Sequence, residues 1–299
     1  MGSTPSRTFG SVGVAMATPF SPDGSLDIES ARQLASHLVD QGADCILLSG
    51  TTGESPTTHQ PEKDLLVSEV VAEVNGRALV IAGAGSNDTA HGVRIAVGAE
   101  KSGAQGLLVV SPYYSRPSQE GIFQHISAIA DATGLPVMVY DIPGRTGVKI
   151  ADETFDRLAE NPKIKAVKDA AGDLPTGIAV SRRTGLEYYS GDDALNLPWL
   201  TIGASGIVSV VGHVAAARYR AMIDAVDAGN YEEARTIDGG LHSLVDVIMG
   251  GGQGAVMAKE ALAMIGTIPN ATVRLPLVGA GQGELDELRK VLRVQGYLS

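Results

Sequence analysis

The chain has little with which to build a cross-link, a membrane span or a metal centre. Its 299 residues contain one cysteine, Cys45, so no disulfide can form within it. Cys45 stands in the apolar run Cys45-Ile46-Leu47-Leu48 and is expected to be a small core residue. No uninterrupted apolar run approaches the roughly 20 residues that a membrane helix needs. The opening segment Met1-Gly2-Ser3-Thr4-Pro5-Ser6-Arg7 is polar and carries no apolar signal core, which points to a soluble cytoplasmic protein. Positive charge is short as well: 23 Lys and Arg face 34 Asp and Glu, a net charge of -11. That balance argues against nucleic acid or an anionic membrane as a partner, but leaves room for a local positive pocket. The six histidines (37, 59, 91, 125, 213 and 242) include no His-x-x-His or His-x-x-x-His pair, so no metal site is expected. There is no Walker loop, and Gly83-Ala84-Gly85 lacks the third glycine of a dinucleotide fingerprint. No cofactor is expected.

What is present is a globular composition, 44% hydrophobic and 19% charged in 30.9 kDa, enough for a substantial core. Short apolar, β-branched segments read as strands at 12–17, 45–48, 79–82, 107–110, 137–140, 164–168, 187–190 and 207–210. A helical pattern follows each, as at 27–41, where Ile28, Leu34, Leu38 and Val39 share a face and Gly42 closes the helix. Other helices are predicted near 118–132, 152–160, 193–202 and 214–228, with Pro143-Gly144-Arg145 left as loop. Strands apolar throughout suit a parallel sheet buried on both faces. Eight strand–helix units with no dividing linker fit a closed (β/α)8 TIM barrel over 9–228 better than an open doubly wound sheet. The remainder, 229–299, reads as a helical extension packed on the barrel. Its helices are predicted near 230–248, 254–265 and 282–295, punctuated by Gly250-Gly251-Gly252 and Gly279-Ala280-Gly281.

The C-terminal strand ends of such a barrel share one rim. Thr51 and Thr52 follow strand two there, and Tyr113 and Tyr114 follow strand four. Tyr140 ends strand five with Arg145 in the next loop, Lys168 ends strand six, Gly191 follows strand seven, and Val208 lies in strand eight. Lys168, with apolar residues on its N-terminal side, loses hydration, which favours the neutral amine that forms a Schiff base with a ketone. Lys165 is expected to be solvated. A tyrosine and threonine hydroxyls near the amine can pass protons. Threonine hydroxyls and turn amides hold a keto acid's carboxylate without adding charge, and Arg145 offers a bidentate guanidinium to a second carboxylate. Each residue also has a plainer reading. Lys168 suits a surface ion pair, Gly50-Thr51-Thr52-Gly53 a tight turn, Tyr113 and Tyr114 an interface and Tyr140 a core. Arg145 is within sequence reach of Asp141 or Asp169. Their convergence on one rim favours the chemical reading.

These residues carry a resemblance to the dihydrodipicolinate synthase / N-acetylneuraminate lyase family of class I pyruvate aldolases. The matching stretches are Met16-Ala17-Thr18-Pro19-Phe20, Gly50-Thr51-Thr52-Gly53-Glu54-Ser55 and Ser111-Pro112-Tyr113-Tyr114-Ser115-Arg116-Pro117. They continue with Tyr140-Asp141-Ile142-Pro143-Gly144-Arg145-Thr146-Gly147, Val167-Lys168-Asp169-Ala170 and Ser190-Gly191-Asp192-Asp193, and the likeness spans essentially 9–298. The resemblance implies a lyase of lysine and diaminopimelate synthesis that condenses pyruvate with L-aspartate 4-semialdehyde. It implies that Lys168 forms the imine and that Tyr140, Thr51 and Tyr114 relay protons, Tyr114 in the neighbouring subunit's site. Thr51 and Thr52 then hold the pyruvate carboxylate, Gly191 and Val208 line the pocket through their backbone, and Arg145 receives the semialdehyde carboxylate. A homotetramer, a dimer of dimers, is implied too.

Pro-Gly-Arg-Thr-Gly in the Arg145 loop matches the condensing branch rather than a sugar-acid lyase or keto-sugar-acid aldolase, the closest alternatives. A non-catalytic keto-acid-binding barrel and a pyridoxal phosphate barrel are the rivals from other classes. The chain departs from lysine-inhibited members of the family. Gln60 and Lys63 stand at positions held there by histidines, and His91 at that of a glutamate, while Ser55, Asn87 and Tyr113 still match. Weak or absent lysine inhibition is the expectation.

Overall fold

The computed structural model describes residues 5–251 and 253–298. Residues 1–4 of the polar opening segment, Gly252 of the glycine stretch and Ser299 lie outside the described residues. Eight parallel strands form the centre: β1 (Val12–Ala15), β2 (Cys45–Leu48), β3 (Leu79–Gly83), β4 (Gly106–Val110), β5 (Val137–Asp141), β6 (Ile164–Asp169), β7 (Glu187–Ser190) and β8 (Gly206–Ser209). Each pairs with the next, and β8 pairs with β1, closing the barrel. The expected (β/α)8 architecture is present.

Two cores account for the unbroken apolar runs. Alternate residues of a strand face opposite sides. Ala15, Leu47, Ile81, Leu108, Met138 and Ala166 fill the lumen, while Val14, Ile46, Val80, Val109, Val139 and Val167 meet the outer helices. Cys45 belongs to the lumen set, and burial pushes its thiol well above the usual range, so it is inert. Lys165, on β6 below the rim, is exposed as expected.

Several predicted boundaries move. β1 stops at Ala15, not 17, and β8 at Ser209, not 210. The end of β8 is set by Asp193, whose carboxylate takes the Val210 and Val211 amides at 2.9 and 3.1 Å, away from the strand ladder. The helix predicted near 193–202 is a 3-10 turn, Asp193–Leu195, followed by a short helix, Asn196–Thr201, with Pro198 lacking the N–H for a longer ladder. Pro143–Thr146, predicted as loop, is one helical turn that proline opens at its first position. The helix predicted near 230–248 is helical over Tyr231–Val245 and widens into a π turn over Asp246–Gly250. The helices after β8 do not stand apart. Leu241, Leu244, Met257, Leu288 and Leu292 share one core with Val12 and Ile207 at the seam where β1 meets β8.

That seam is pinned by His213. Its Nε2 accepts from the Ala17 amide at 2.9 Å, and its Nδ1 donates to the Val210 carbonyl at 2.6 Å, which requires the neutral ring. Burial pushes its pKa down from 6.5 to about 4. The unfolded chain therefore binds this proton first on acidification, so the stability it contributes is full above pH 6.5 and is lost as pH falls towards 4. His213→Gln, which keeps a donor and an acceptor but does not titrate, should remove about 3 kcal/mol of the stability loss between pH 7 and 4. Urea unfolding of both proteins across that range checks it.

Candidate active site

Lys168 stands near the top of β6, in register with Tyr140 of β5 and Tyr189 of β7. It is 5% exposed, and its amine lies 4.4 Å from the centre of the Tyr140 ring. Among the described residues it forms no salt bridge, so the plain reading as a surface ion pair does not hold. Burial lowers its pKa from 10.5 to about 8; the Asp193 carboxylate opposes this and the Arg145 charge adds to it. Asp193 does not quench the amine by contact. Its oxygens are occupied by the Ser209 hydroxyl, the Asn196 amide and the Val210 and Val211 N–H groups.

Space for the lysine chain comes from Gly191. A Cβ at 191 would lie 2.9 Å from Lys168 Cγ and Cε and from the Asp169 carbonyl. Glycine is required here by close approach, and the Gly191 amide donates to that carbonyl at 2.6 Å.

Tyr140 is 6% exposed and its phenol is pushed up to about 12 by burial, with Arg145 and the Thr51 hydroxyl pulling the other way. It stays protonated at neutral pH and so is a proton donor beside the amine. Thr51 and Thr52 sit in a compact turn between Ser49 and Glu54, both left-handed at φ 53°. The Thr18 hydroxyl holds the Gly53 carbonyl at 2.7 Å, and Ser55 N–H reaches the Gly50 carbonyl at 3.2 Å. Among the described residues the Thr51 and Thr52 amides donate to no protein acceptor. Such a turn offers hydroxyls and free N–H groups to an anion.

Arg145 lies on the Pro143–Thr146 turn, exposed. Among the described residues its guanidinium has no carboxylate partner. Asp141 and Asp169 are buried on the opposite face of their strands and take the Ile150 and Gly172 amides at 3.4 and 3.0 Å. The pairing of Arg145 with either is therefore not realised.

One cavity brings together Thr51, Thr52, Tyr140, Arg145, Lys168 and Gly191. Val208 does not line it. Its side chain packs in the lumen layer beneath, and the wall at β8 is Val210. Tyr114 lines an adjoining cavity that shares Thr51, Tyr140 and Arg145, and is itself 90% exposed at φ 75°. Sequence reasoning missed the far wall, made by Met249, Gln253, Gly254, Ala255 and Leu277. The barrel rule assigns only loops between strands and helices to the rim, and nothing in the composition of that stretch marks it. Among the described residues no group of three or more His, Cys, Asp or Glu can hold a metal ion. No helix among them is long and apolar enough to cross a membrane.

The family model described as "Dihydrodipicolinate synthetase family" matches residues 8–295. A 4-hydroxy-tetrahydrodipicolinate synthase 2 of Streptomyces coelicolor is 51% identical, covering 98% of both chains. Among solved structures, a dihydrodipicolinate synthase of Cyanidioschyzon merolae with lysine bound superposes with a TM-score of 0.93 at 40% identity, over 97% of this chain and 99% of that one. A chloride-inhibited dihydrodipicolinate synthase of Acinetobacter baumannii complexed with pyruvate has a TM-score of 0.93 at 34% identity, over 97% and 100%.

The lowered pKa of Lys168 sets a pH profile. The neutral fraction of the amine rises as pH passes through about 8, so initial trapping of a keto acid by borohydride should climb to that point and level off. A trapping rate that keeps climbing towards the 10.5 of an ordinary lysine would show that burial does not tune this amine.

Proposed function

Since the chain belongs to the dihydrodipicolinate synthetase family, we propose that it condenses pyruvate with L-aspartate 4-semialdehyde through an imine on Lys168. The observation that carries this reading is a buried amine, without a salt bridge among the described residues, sharing one cavity with the Thr51-Thr52 turn and Arg145, which we read as two separate carboxylate receivers. The Lys168 amine attacks the pyruvate ketone, and the carbinolamine loses water as Tyr140 and Thr51 pass protons. Loss of a methyl proton gives the enamine, whose carbon attacks the aldehyde. The amino group of the semialdehyde portion then attacks the imine carbon, closing the ring and releasing the Lys168 amine.

In this reading Thr52 joins Thr51 in holding the pyruvate carboxylate, and Gly191 lines the pocket by its backbone. Val208, whose side chain packs in the lumen layer, is read as lining the pocket by its backbone as well. The exposed ring of Tyr114 fits a role in the site of a neighbouring subunit, within a homotetramer built as a dimer of dimers. The reading also takes 9–228 as the catalytic barrel, 229–299 as its helical extension, and the cytoplasm as its location. A lyase of sugar acids is less favoured, because an unpaired guanidinium suits a second carboxylate better than a row of hydroxyls.

Borohydride reduction with pyruvate, followed by peptide mapping, should place the adduct on Lys168. An adduct elsewhere, or none, would remove the mechanism. Arg145→Ala should keep that adduct while raising KM for the semialdehyde about tenfold or more in steady-state assays.

We infer further that lysine is a weak inhibitor or none. Lys63 is 6% exposed, and its amine donates to the Ser55 and Thr58 carbonyls at 2.7 and 2.9 Å and to the Ser55 hydroxyl at 3.2 Å. The chain thus places its own ammonium among acceptors that include Ser55. Activity titrated with L-lysine should stay nearly level through the millimolar range, whereas half-inhibition at low micromolar lysine would overturn the inference.

A further inference from the structure

Among the described residues, one ion pair is wholly buried. Lys259 and Glu54 are 0% and 1% exposed at their side chains. Glu54 ends the Thr51-Thr52 turn, and Lys259 belongs to the helix Gly254–Met264 in the C-terminal part of the chain. The other Glu54 oxygen and the Lys259 amine each have a further partner. The second Glu54 oxygen takes the Arg274 amide at 2.9 Å, and the Lys259 amine also donates to the Thr272 carbonyl at 2.8 Å. The Phe20 ring packs against both cations, 4.2 Å from the Lys259 amine and 4.1 Å from the Arg274 guanidinium.

Stability does not explain this arrangement. Well-packed apolar residues are often as stabilising as a buried ion pair, because both charges lose their hydration. Glu54 is also left-handed at φ 53°, where a residue with a side chain is strained and glycine is not. A charged side chain kept at a strained position points to a geometric requirement. The cavity walls supply one. Thr51, Thr52 and Glu54 form one side, and Gln253, Gly254 and Ala255 at the start of the Lys259 helix form the other.

We propose that the Glu54–Lys259 pair is a positioning device for the keto acid: it joins the two walls and holds the Thr51-Thr52 turn at the distance from Lys168 that the carboxylate requires. Neither residue is catalytic. The inference rests on the reading of the Thr51-Thr52 turn as the pyruvate receiver. It predicts an effect on pyruvate with little on the semialdehyde, whose proposed receiver, Arg145, stands on another loop.

The test is steady-state kinetics of Glu54→Gln/Lys259→Met, which removes both charges at nearly constant volume, with thermal unfolding measured alongside. KM for pyruvate should rise about tenfold or more, while KM for the semialdehyde and kcat at saturating pyruvate stay within about threefold. Should the double variant not fold, the single variant Glu54→Gln, which keeps shape and a hydrogen bond, carries the same readout with a smaller rise. An unchanged pyruvate KM, or activity lost only in proportion to folded protein, overturns the proposal. Failure of the wild type to form a pyruvate adduct would instead overturn the functional reading beneath it.

Discussion

A buried lysine with no salt bridge among the described residues is costly, and the rest of the site follows from that cost. Lys168 has given up its hydration without a salt bridge in return, and the amine responds by favouring its neutral form. A closed barrel makes this possible. The lumen below Lys168 is filled by Leu47, Met138, Ala166 and Val208, so water reaches the amine only from the rim. A surface lysine on an open sheet would keep its hydration and its ordinary pKa.

The neighbours are chosen so as not to undo this. A carboxylate in contact would restore the charge, and the nearest acid with influence, Asp193, is fully engaged by Ser209, Asn196 and two backbone amides. The proton donor is a buried phenol that stays protonated. The turn read as the keto-acid receiver uses hydroxyls and amides. The one added cation, Arg145, lowers the pKa of Lys168 further and so works with burial. Gly191 completes the arrangement by leaving the volume that the lysine chain fills. The Glu54–Lys259 pair extends the same logic outward: these two buried charges neutralise one another behind the cavity wall.

The architecture was legible because two nested cores make most strands apolar on both faces, and because eight strands alternate with helical periodicity. The rim rule then gathered Thr51, Thr52, Tyr140, Arg145, Lys168 and Gly191 from distant parts of the sequence. Two things stayed hidden, each for a physical reason. The split of the 193–202 helix depends on Asp193 folding back onto the end of β8, a contact no local pattern encodes. The wall from 249 to 277 depends on how the last helices pack on the β1–β8 seam, and Lys259 reads in sequence as an ordinary helical lysine.

The chemistry of the site depends on the state of one amine. The most direct measurement is a site-resolved NMR titration of lysine carrying labelled ε-carbons, with the Lys168 resonance assigned by its absence in Lys168→Ala. A midpoint near 8 is predicted from burial without a partner. A midpoint at the ordinary 10.5 would mean that the amine is hydrated or paired in solution, and would contradict the account.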